Sequence, residues 1–321
     1  MTLRWFLVSL WPLLAPCEVP ATSSAALPAF TRTGDVIYGR KFGTALTLDV
    51  FTPTGQTNGA AVIWAVSGGW FSDHEHINAG LYAEFLERGY TVFAVVHGSQ
   101  PKYTIPEVLE DMNRAVRFIR ANAARFGIDR NRIGISGASA GGHLSLMVGL
   151  AGAPPKPNNK DPVMHEAGRV QAVACFFPPT DFLNYGESGR DVFRAMLEEL
   201  KPFQAPFDFH EMDVEKKMFV PIADGPRRLD IARQISPIAH VSPDDPPTLI
   251  IHGDADKLVP IQQSEGLIEK LKAAGVTARL VSKPGAGHGW PDFRNDIALF
   301  ADWFDAHLAK PAAAGLQSEQ P

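Results

Sequence analysis

Arg132-Ile133-Gly134-Ile135-Ser136-Gly137-Ala138-Ser139-Ala140-Gly141-Gly142-His143 is the stretch, residues 132–143, on which the fold turns. A short apolar run, Arg132 to Ser136, enters Gly-x-Ser-x-Gly, and an apolar helical run, Leu144 to Leu150, leaves it. Strand before and helix after is the context that gives this motif its meaning: the serine sits in a sharp, strained turn above the end of a sheet. Small residues are needed around such a turn, and Gly137 and Gly141 supply them, because a Cβ there would clash. Ser139 would then project its hydroxyl at a helix N-terminus, where free N–H groups and the helix dipole favour a developing negative charge. Ser139 is the candidate nucleophile.

Outward from this turn, strand-like and helix-like segments alternate, the pattern of a mostly parallel sheet flanked by helices, an α/β fold. Thr44 to Phe51 alternates, with Leu46, Leu48 and Val50 on one face. Ala60 to Val66, Thr91 to Val96, Val170 to Phe177, Thr248 to His252 and Ala278 to Ser282 are short apolar runs, apolar on both faces as buried parallel strands are. Between them, Val108, Met112, Ala115, Val116 and Ile119 recur at helical spacing through Pro106 to Ala124. Leu267, Ile268 and Leu271 repeat that spacing before Gly275, and Ile297 to Phe304 predicts a final helix. Phe182 to Val241 breaks the alternation. Asp191 to Leu200 and Glu211 to Phe219 read as helical there, so residues 182–241 are expected to form a helical cap inserted into a catalytic domain of residues 27–181 and 242–310, with 311–321 a flexible tail.

A serine hydroxyl is a weak nucleophile and needs a base that is itself oriented by a carboxylate. In this strand–turn–helix fold the chain order is serine, acid, histidine. His307 falls within the last helical pattern, whereas His288 lies in Gly285-Ala286-Gly287-His288-Gly289-Trp290, a glycine-rich loop directly after a strand. Such sheets carry their chemistry at the carboxyl ends of their strands, so His288 is the candidate base. For the acid, His252-Gly253-Asp254-Ala255-Asp256 offers two aspartates. Asp256 lies further out, 32 residues before His288, a separation that one helix and one strand fill, while Asp254 is read as a turn acceptor. The oxyanion of an acyl transfer needs donors: the N–H of Ala140 and, from Ser67-Gly68-Gly69-Trp70-Phe71 after the preceding strand, those of Gly69 and Trp70.

The chain has 321 residues, 45% apolar and 20% charged, which is globular composition. Asp and Glu number 35 against 30 Lys and Arg, a net charge of −5, so nothing drives attraction to phosphate backbones and no nucleic-acid partner is expected. Residues 1–26 read as an export signal: Arg4, an apolar run from Trp5 to Leu14, then the small Ser24-Ala25-Ala26. The run is too short to span a bilayer, so stable membrane insertion is not expected and a secreted or periplasmic location is. Pro16 directly before Cys17 argues against lipid anchoring at that cysteine. With Cys17 removed, Cys175 has no intrachain partner and reads as a small buried hydrophobe. Asp73-His74-Glu75-His76 contains metal-ligand residue types, but it follows the oxyanion loop and reads as a polar site rim; neither a metal nor another cofactor is expected.

Taken together, Ser67-Gly68-Gly69-Trp70, Gly137-Ala138-Ser139-Ala140-Gly141-Gly142-His143, Pro178-Pro179-Thr180-Asp181, His252-Gly253-Asp254-Ala255-Asp256 and Gly287-His288-Gly289 resemble the α/β-hydrolases. Within them the chain is similar to the esterase/lipase-like group that includes dienelactone-hydrolase-related and feruloyl or acetylxylan esterase-like proteins. Many relatives begin the oxyanion loop with His-Gly-Gly where this chain has Ser67-Gly68-Gly69, and true dienelactone hydrolases use a cysteine where this chain has Ser139. His143 and Asp181 match family positions near the site and are expected to support its loops. The resemblance implies a serine carboxylic-ester hydrolase working through an acyl-enzyme on a small-molecule or saccharide ester, acetyl and feruloyl esters of saccharides among them. Trp70, Phe71 and Trp290 would contact substrate. A peptidase or amidase of the same fold, and an inactive hydrolase-fold binding protein, are the alternatives; the oligomeric state is left open.

Overall fold

The computed structural model describes residues 27–197 and 200–309; the expected export signal and the whole of the expected C-terminal tail, residues 311–321, lie outside them. Among the described residues ten strands are formed: β1 Phe30–Lys41, β2 Thr44–Pro53, β3 Ala61–Val66, β4 Thr91–Val96, β5 Ile133–Ala138, β6 Ala172–Phe176, β7 His210–Asp213, β8 Met218–Pro221, β9 Thr248–Gly253 and β10 Ala278–Lys283. Eight make one sheet in the order β1-β2-β4-β3-β5-β6-β9-β10. Its first two pairings, β1 with β2 and β2 with β4, are antiparallel, and every later one is parallel. Of the runs read as apolar on both faces, those forming β3, β4, β6 and β9 are fully buried, whereas Ala278 to Ser282 forms β10, an edge strand that is only partly buried and exposes Arg279 and Ser282.

Successive side chains of a strand point to opposite faces, and the core divides accordingly. Ala61, Ile63 and Ala65 of β3 face one apolar layer and Val62, Trp64 and Val66 the other. The first layer is closed by α2 (Ile105–Ala121), α3 (Ala140–Ala151) and α6 (Gln262–Ala273), the second by α1 (Ala83–Glu87) and α7 (Ile297–His307). Helix α2 shows why these segments are helical. Glu107 accepts the N–H of Thr104 at 2.8 Å in a capping box, Pro106 occupies the first turn, and Val108, Met112, Ala115, Val116 and Ile119 form a buried stripe.

Residues 182–241 contain α4 (Val192–Ala195), the hairpin β7–β8, α5 (Gly225–Gln234) and three short 3₁₀ turns. The helix expected over Glu211–Phe219 is not formed. Asp213 accepts the N–H of Lys216 at 2.9 Å and Lys217 adopts φ +53°, a left-handed position that stops a helix and turns the chain back into β8. This insert packs onto the α3 side of the sheet, burying Phe182, Tyr185, Phe207 and Phe209 in the larger apolar layer. Among the described residues no helix is long and apolar enough to cross a membrane. Cys175 is fully buried in β6, and burial pushes its thiol well above the usual range.

Candidate active site

Ser139 stands between β5 and α3 with φ +53° and ψ −118°. For a residue with a Cβ this is a strained conformation, and the surroundings hold it. The Ser139 N–H donates to Phe176 O at 3.0 Å, and its carbonyl accepts the N–H of His143 at 2.9 Å. The glycines around it are needed for contact. A Cβ on Gly137 would lie 2.5 Å from the carbonyl of Gly141, one on Gly141 2.6 Å from Ala65 O, and one on Gly142 2.9 Å from Phe176 O. All three are backbone atoms that cannot step aside.

His288 reaches this hydroxyl from the loop after β10, with Nε2 2.9 Å from Ser139 Oγ and Nδ1 2.7 Å from Asp256 Oδ2. An ionised carboxylate only accepts, so Nδ1 carries the proton and donates to Asp256. That leaves Nε2 as acceptor for the Ser139 O–H. Asp256 is itself fixed by its other oxygen, which accepts the N–H groups of Leu258 and Val259, each at 2.9 Å. A second histidine adjoins it: His252 Nε2 lies 3.3 Å from Asp256 Oδ2 and 2.8 Å from Val259 O, while its Nδ1 takes the Ser264 hydroxyl at 2.7 Å. Burial is the largest influence on the Asp256 carboxyl and raises it, but the hydrogen bonds from His252 and His288 outweigh burial and hold it well below the usual carboxylate range. Asp254 points elsewhere. It is exposed and accepts the N–H of Gly285 at 2.7 Å across the loop, so the local aspartate turn belongs to Asp256 instead.

The loop after β3 brings its donors beside Ser139. Gly68 and Phe71 exchange backbone hydrogen bonds at 3.0 and 2.9 Å, closing a two-residue turn in which Gly69 (φ +54°) and Trp70 (φ +58°) are both left-handed. No backbone hydrogen bond from Gly69, Trp70 or Ala140 is made to another described residue. A non-glycine residue at positive φ has to be held, and Trp70 is. Its indole N–H donates to His143 Nδ1 at 3.1 Å, which forces the imidazole proton onto Nε2, where it donates to Ile235 O at 2.7 Å. Burial pushes His143 down to about 4, so it is neutral at pH 7. Ser67, where many relatives have histidine, is partnered by a histidine from another strand. His97, after β4, gives its Nδ1 proton to Gly98 O at 2.8 Å and accepts the Ser67 hydroxyl on Nε2 at 2.9 Å. The Ser67–His97 pair was not legible as part of the site, since it joins loops after two different strands, and His252, although it opens the quoted His252–Asp256 segment, gave no sign of its role because the turn that folds Asp256 and Val259 back onto it is not written in the residue pattern.

Ser139, Gly69 and Trp70 line a small apolar cavity of ≈ 30 Å³ whose remaining walls come from the insert and from Pro179, Leu258 and Val259. Phe71 and Trp290, expected beside Trp70, do not line it. Phe71 is 40% exposed beside His76 and borders a separate groove of ≈ 320 Å³ that includes Gly68 and Ala138. Trp290 packs edge-on against Phe176 and Phe177 and donates to Asp296 at 2.8 Å. The Asp73–His76 segment is a 3₁₀ turn capped by Asp73; His74 leaves it to meet the Thr47 hydroxyl at 2.8 Å, near Asp35 and Asp49. Arg32 already pairs with Asp49 at 2.5 Å. Asp181 accepts the N–H groups of Leu183 and Asn184 and so braces the first turn of the insert.

An arrangement with a hydroxyl, an imidazole poised to take its proton, a carboxylate behind the imidazole and free N–H groups beside it is suited to acyl transfer. Residues 48–271 match the BD-FAE family model, and residues 232–311 match that of the dienelactone hydrolase family. Among curated proteins the chain is similar to the probable carboxylic ester hydrolase LipM of Mycobacterium tuberculosis, 29% identical over 76% of this chain and 52% of that one. Esterase LipC of the same organism is 28% identical over 87% of this chain and 65% of its own. The chain thus spans about half to two thirds of the length of these relatives. Among solved structures, a truncated form of a carbohydrate esterase from gut microbiota superposes with a TM-score of 0.69 at 27% identity, covering 89% of this chain and all of that one. The esterase from the Planctomycetes species Thermogutta terrifontis, at 22% identity and a TM-score of 0.65 over 88% of this chain and 94% of its own, shares the fold. With its model matched across most of the sheet, from β2 to α6, the chain belongs to the BD-FAE family, within the esterase-like group of the α/β-hydrolases.

Proposed function

We propose that this protein is a carboxylic-ester hydrolase whose nucleophile is Ser139, whose base is His288 and whose orienting acid is Asp256. The observation that carries the reading is the hydrogen-bonded line from Ser139 Oγ through His288 to Asp256, at 2.9 and 2.7 Å, with backbone N–H groups at its serine end that have no backbone acceptor among the described residues. His288 takes the serine proton as Oγ bonds to the ester carbon, and the N–H groups of Gly69, Trp70 and Ala140 receive the oxyanion. The C–O bond to the alcohol then breaks, and the alcohol leaves with the proton from His288. Water, activated by the same imidazole, attacks the acyl-enzyme and frees the acid and Ser139. A saccharide ester as substrate is supported by the likeness to a carbohydrate esterase and by the groove of ≈ 320 Å³ bordered by Gly68, Phe71 and Ala138, the chain neighbours of the oxyanion loop and of Ser139.

The test is hydrolysis of an activated acetate ester together with labelling by a fluorophosphonate. Both are expected in the parent, and Ser139→Ala should lose labelling and about 10⁶-fold in turnover. Near-parental turnover in a folded Ser139→Ala protein would end the reading. Export belongs to the same proposal and rests on the apolar run Trp5 to Leu14 and the small residues after it. Protein recovered from the medium or periplasm of an expressing cell should have an intact mass lacking ~26 residues; a retained Met1 or an acylated Cys17 would refute it.

A further inference from the structure

We propose that Phe203, carried by the insert, sets the acyl limit of this site and restricts it to acyl groups of about two or three carbons, so that acetyl is admitted and feruloyl is not. The inference rests on the ester-hydrolase reading above. The leaving alcohol must take its proton from His288 Nε2, and His288 does not line the ≈ 30 Å³ cavity, whereas Ser139 and Gly69 do. The alcohol therefore departs on the outer side and the acyl group enters the cavity. About 10–15 Å³ holds one water molecule, so this volume takes a methyl or an ethyl group and no aromatic ring.

Phe203 is the wall that fixes this size. Its ring lies so close to the oxyanion loop that a Cβ on Gly69 would meet Cδ1 and Cε1 at 2.8 Å. It ends the 3₁₀ turn Lys201–Phe203, with its N–H bonded to Leu200 O at 2.8 Å. The other walls that the insert contributes, Phe182, Tyr185, Val192, Leu200 and Phe207, are buried parts of the core, and Phe203 alone among its aromatic walls is partly exposed. Removing a core wall leaves a void inside the protein; removing Phe203 opens the cavity outward.

The experiment compares kcat/KM for p-nitrophenyl acetate, butyrate and hexanoate between the parent, Phe203→Ala and Phe203→Leu. One methylene in an apolar pocket is worth about 10-fold or more, so the parent should prefer acetate over hexanoate by at least about 100-fold. In Phe203→Ala the hexanoate-to-acetate ratio should rise by at least about 10-fold, and in Phe203→Leu by less. A parent with a flat chain-length profile overturns the proposal while leaving ester hydrolysis standing, and so does an unmoved ratio in folded Phe203→Ala. Should Phe203→Ala fail to fold, an unmoved ratio in Phe203→Leu overturns it. No hydrolysis of any of the three esters and no fluorophosphonate labelling would instead remove the ester-hydrolase reading on which it stands.

Discussion

The turn between β5 and α3 and the insert of residues 182–241 meet at Ser139, and they are built on opposite principles. At the turn the backbone decides: Gly137, Gly141 and Gly142 are required because carbonyls lie within 3 Å of where their Cβ atoms would be, and little else about their neighbours matters. In the insert the side chains decide. It has two short helices and a small hairpin, and it is held by rings, with Phe207 5.2 Å from both Trp70 and Phe182. Chemistry that must be placed to within a fraction of an ångström sits on the rigid part, and the wall that selects substrate, Phe203, sits on a partly exposed 3₁₀ turn of the insert rather than among the rings and the Ile235 carbonyl that brace Trp70 and His143. A change in the first region should therefore act on turnover, and a change in the second on which ester is turned over.

The largest effect that sharpens this contrast is expected at the acid. Asp256→Asn keeps the shape and its turn but presents an amide to His288 Nδ1, which favours the wrong tautomer; the loss in turnover should be about 10⁴-fold. Asp254→Asn keeps an oxygen for the Gly285 N–H and should leave turnover nearly unchanged, with about 0.5–1.5 kcal/mol less stability. Turnover of one activated ester, with thermal melts to exclude unfolding, separates the two. An inactive Asp254→Asn beside an active Asp256→Asn would move the acid and leave the fold intact.

The two regions also differed in what their sequences disclosed. Around Ser139 the strand, the turn and the helix each have a local signature, and β3, β4, β6 and β9 were legible because strands buried on both faces read as unbroken apolar runs. His288 and Asp256 followed from chain order and loop position, and the structure brings them within hydrogen-bond reach of each other and of Ser139. The insert offered no such grammar. Glu211 to Phe219 carries good helix formers, yet a turn at Asp213 and Lys217 makes it a hairpin. Strand β1 was hidden because Arg32, Thr33, Gly34 and Asp35 are exposed at the sheet edge and only Val36 and Tyr38 show alternation; the signal available was Phe42-Gly43, the left-handed pair that turns β1 into β2. Phe203 gave no sign at all, since its role lies in touching Gly69, 134 positions away in the chain.

His143 joins the two regions, and its protonation tests how far they depend on each other. From α3 it accepts the Trp70 indole proton on one nitrogen and donates to Ile235 O in the insert with the other, so a second proton on the ring would face a donor with a donor inside the core. Burial lowers it from 6.5 to about 4 in the folded protein. Above pH 6.5 the ring is neutral folded or unfolded, and its contribution is fully present. Between pH 6.5 and about 4 the unfolded chain binds a proton that the folded one does not, so stability falls as pH falls. At about 1.4 kcal/mol per pH unit the loss approaches about 3 kcal/mol. His97, lowered to about 4 mainly by burial, acts in the same direction, whereas Asp111, raised by burial to about 6, acts in the opposite one, so the informative quantity is a difference between proteins. His143→Gln removes one titrating group and leaves the other two. It should be less stable than the parent at pH 7, yet its melting midpoint should drop less between pH 7 and pH 4.5 at constant ionic strength. An equal drop in both proteins would show that the neutral His143 bridge does not couple the insert to the elbow, and Trp70 would then owe its left-handed backbone to packing against Phe182 and Phe207 alone.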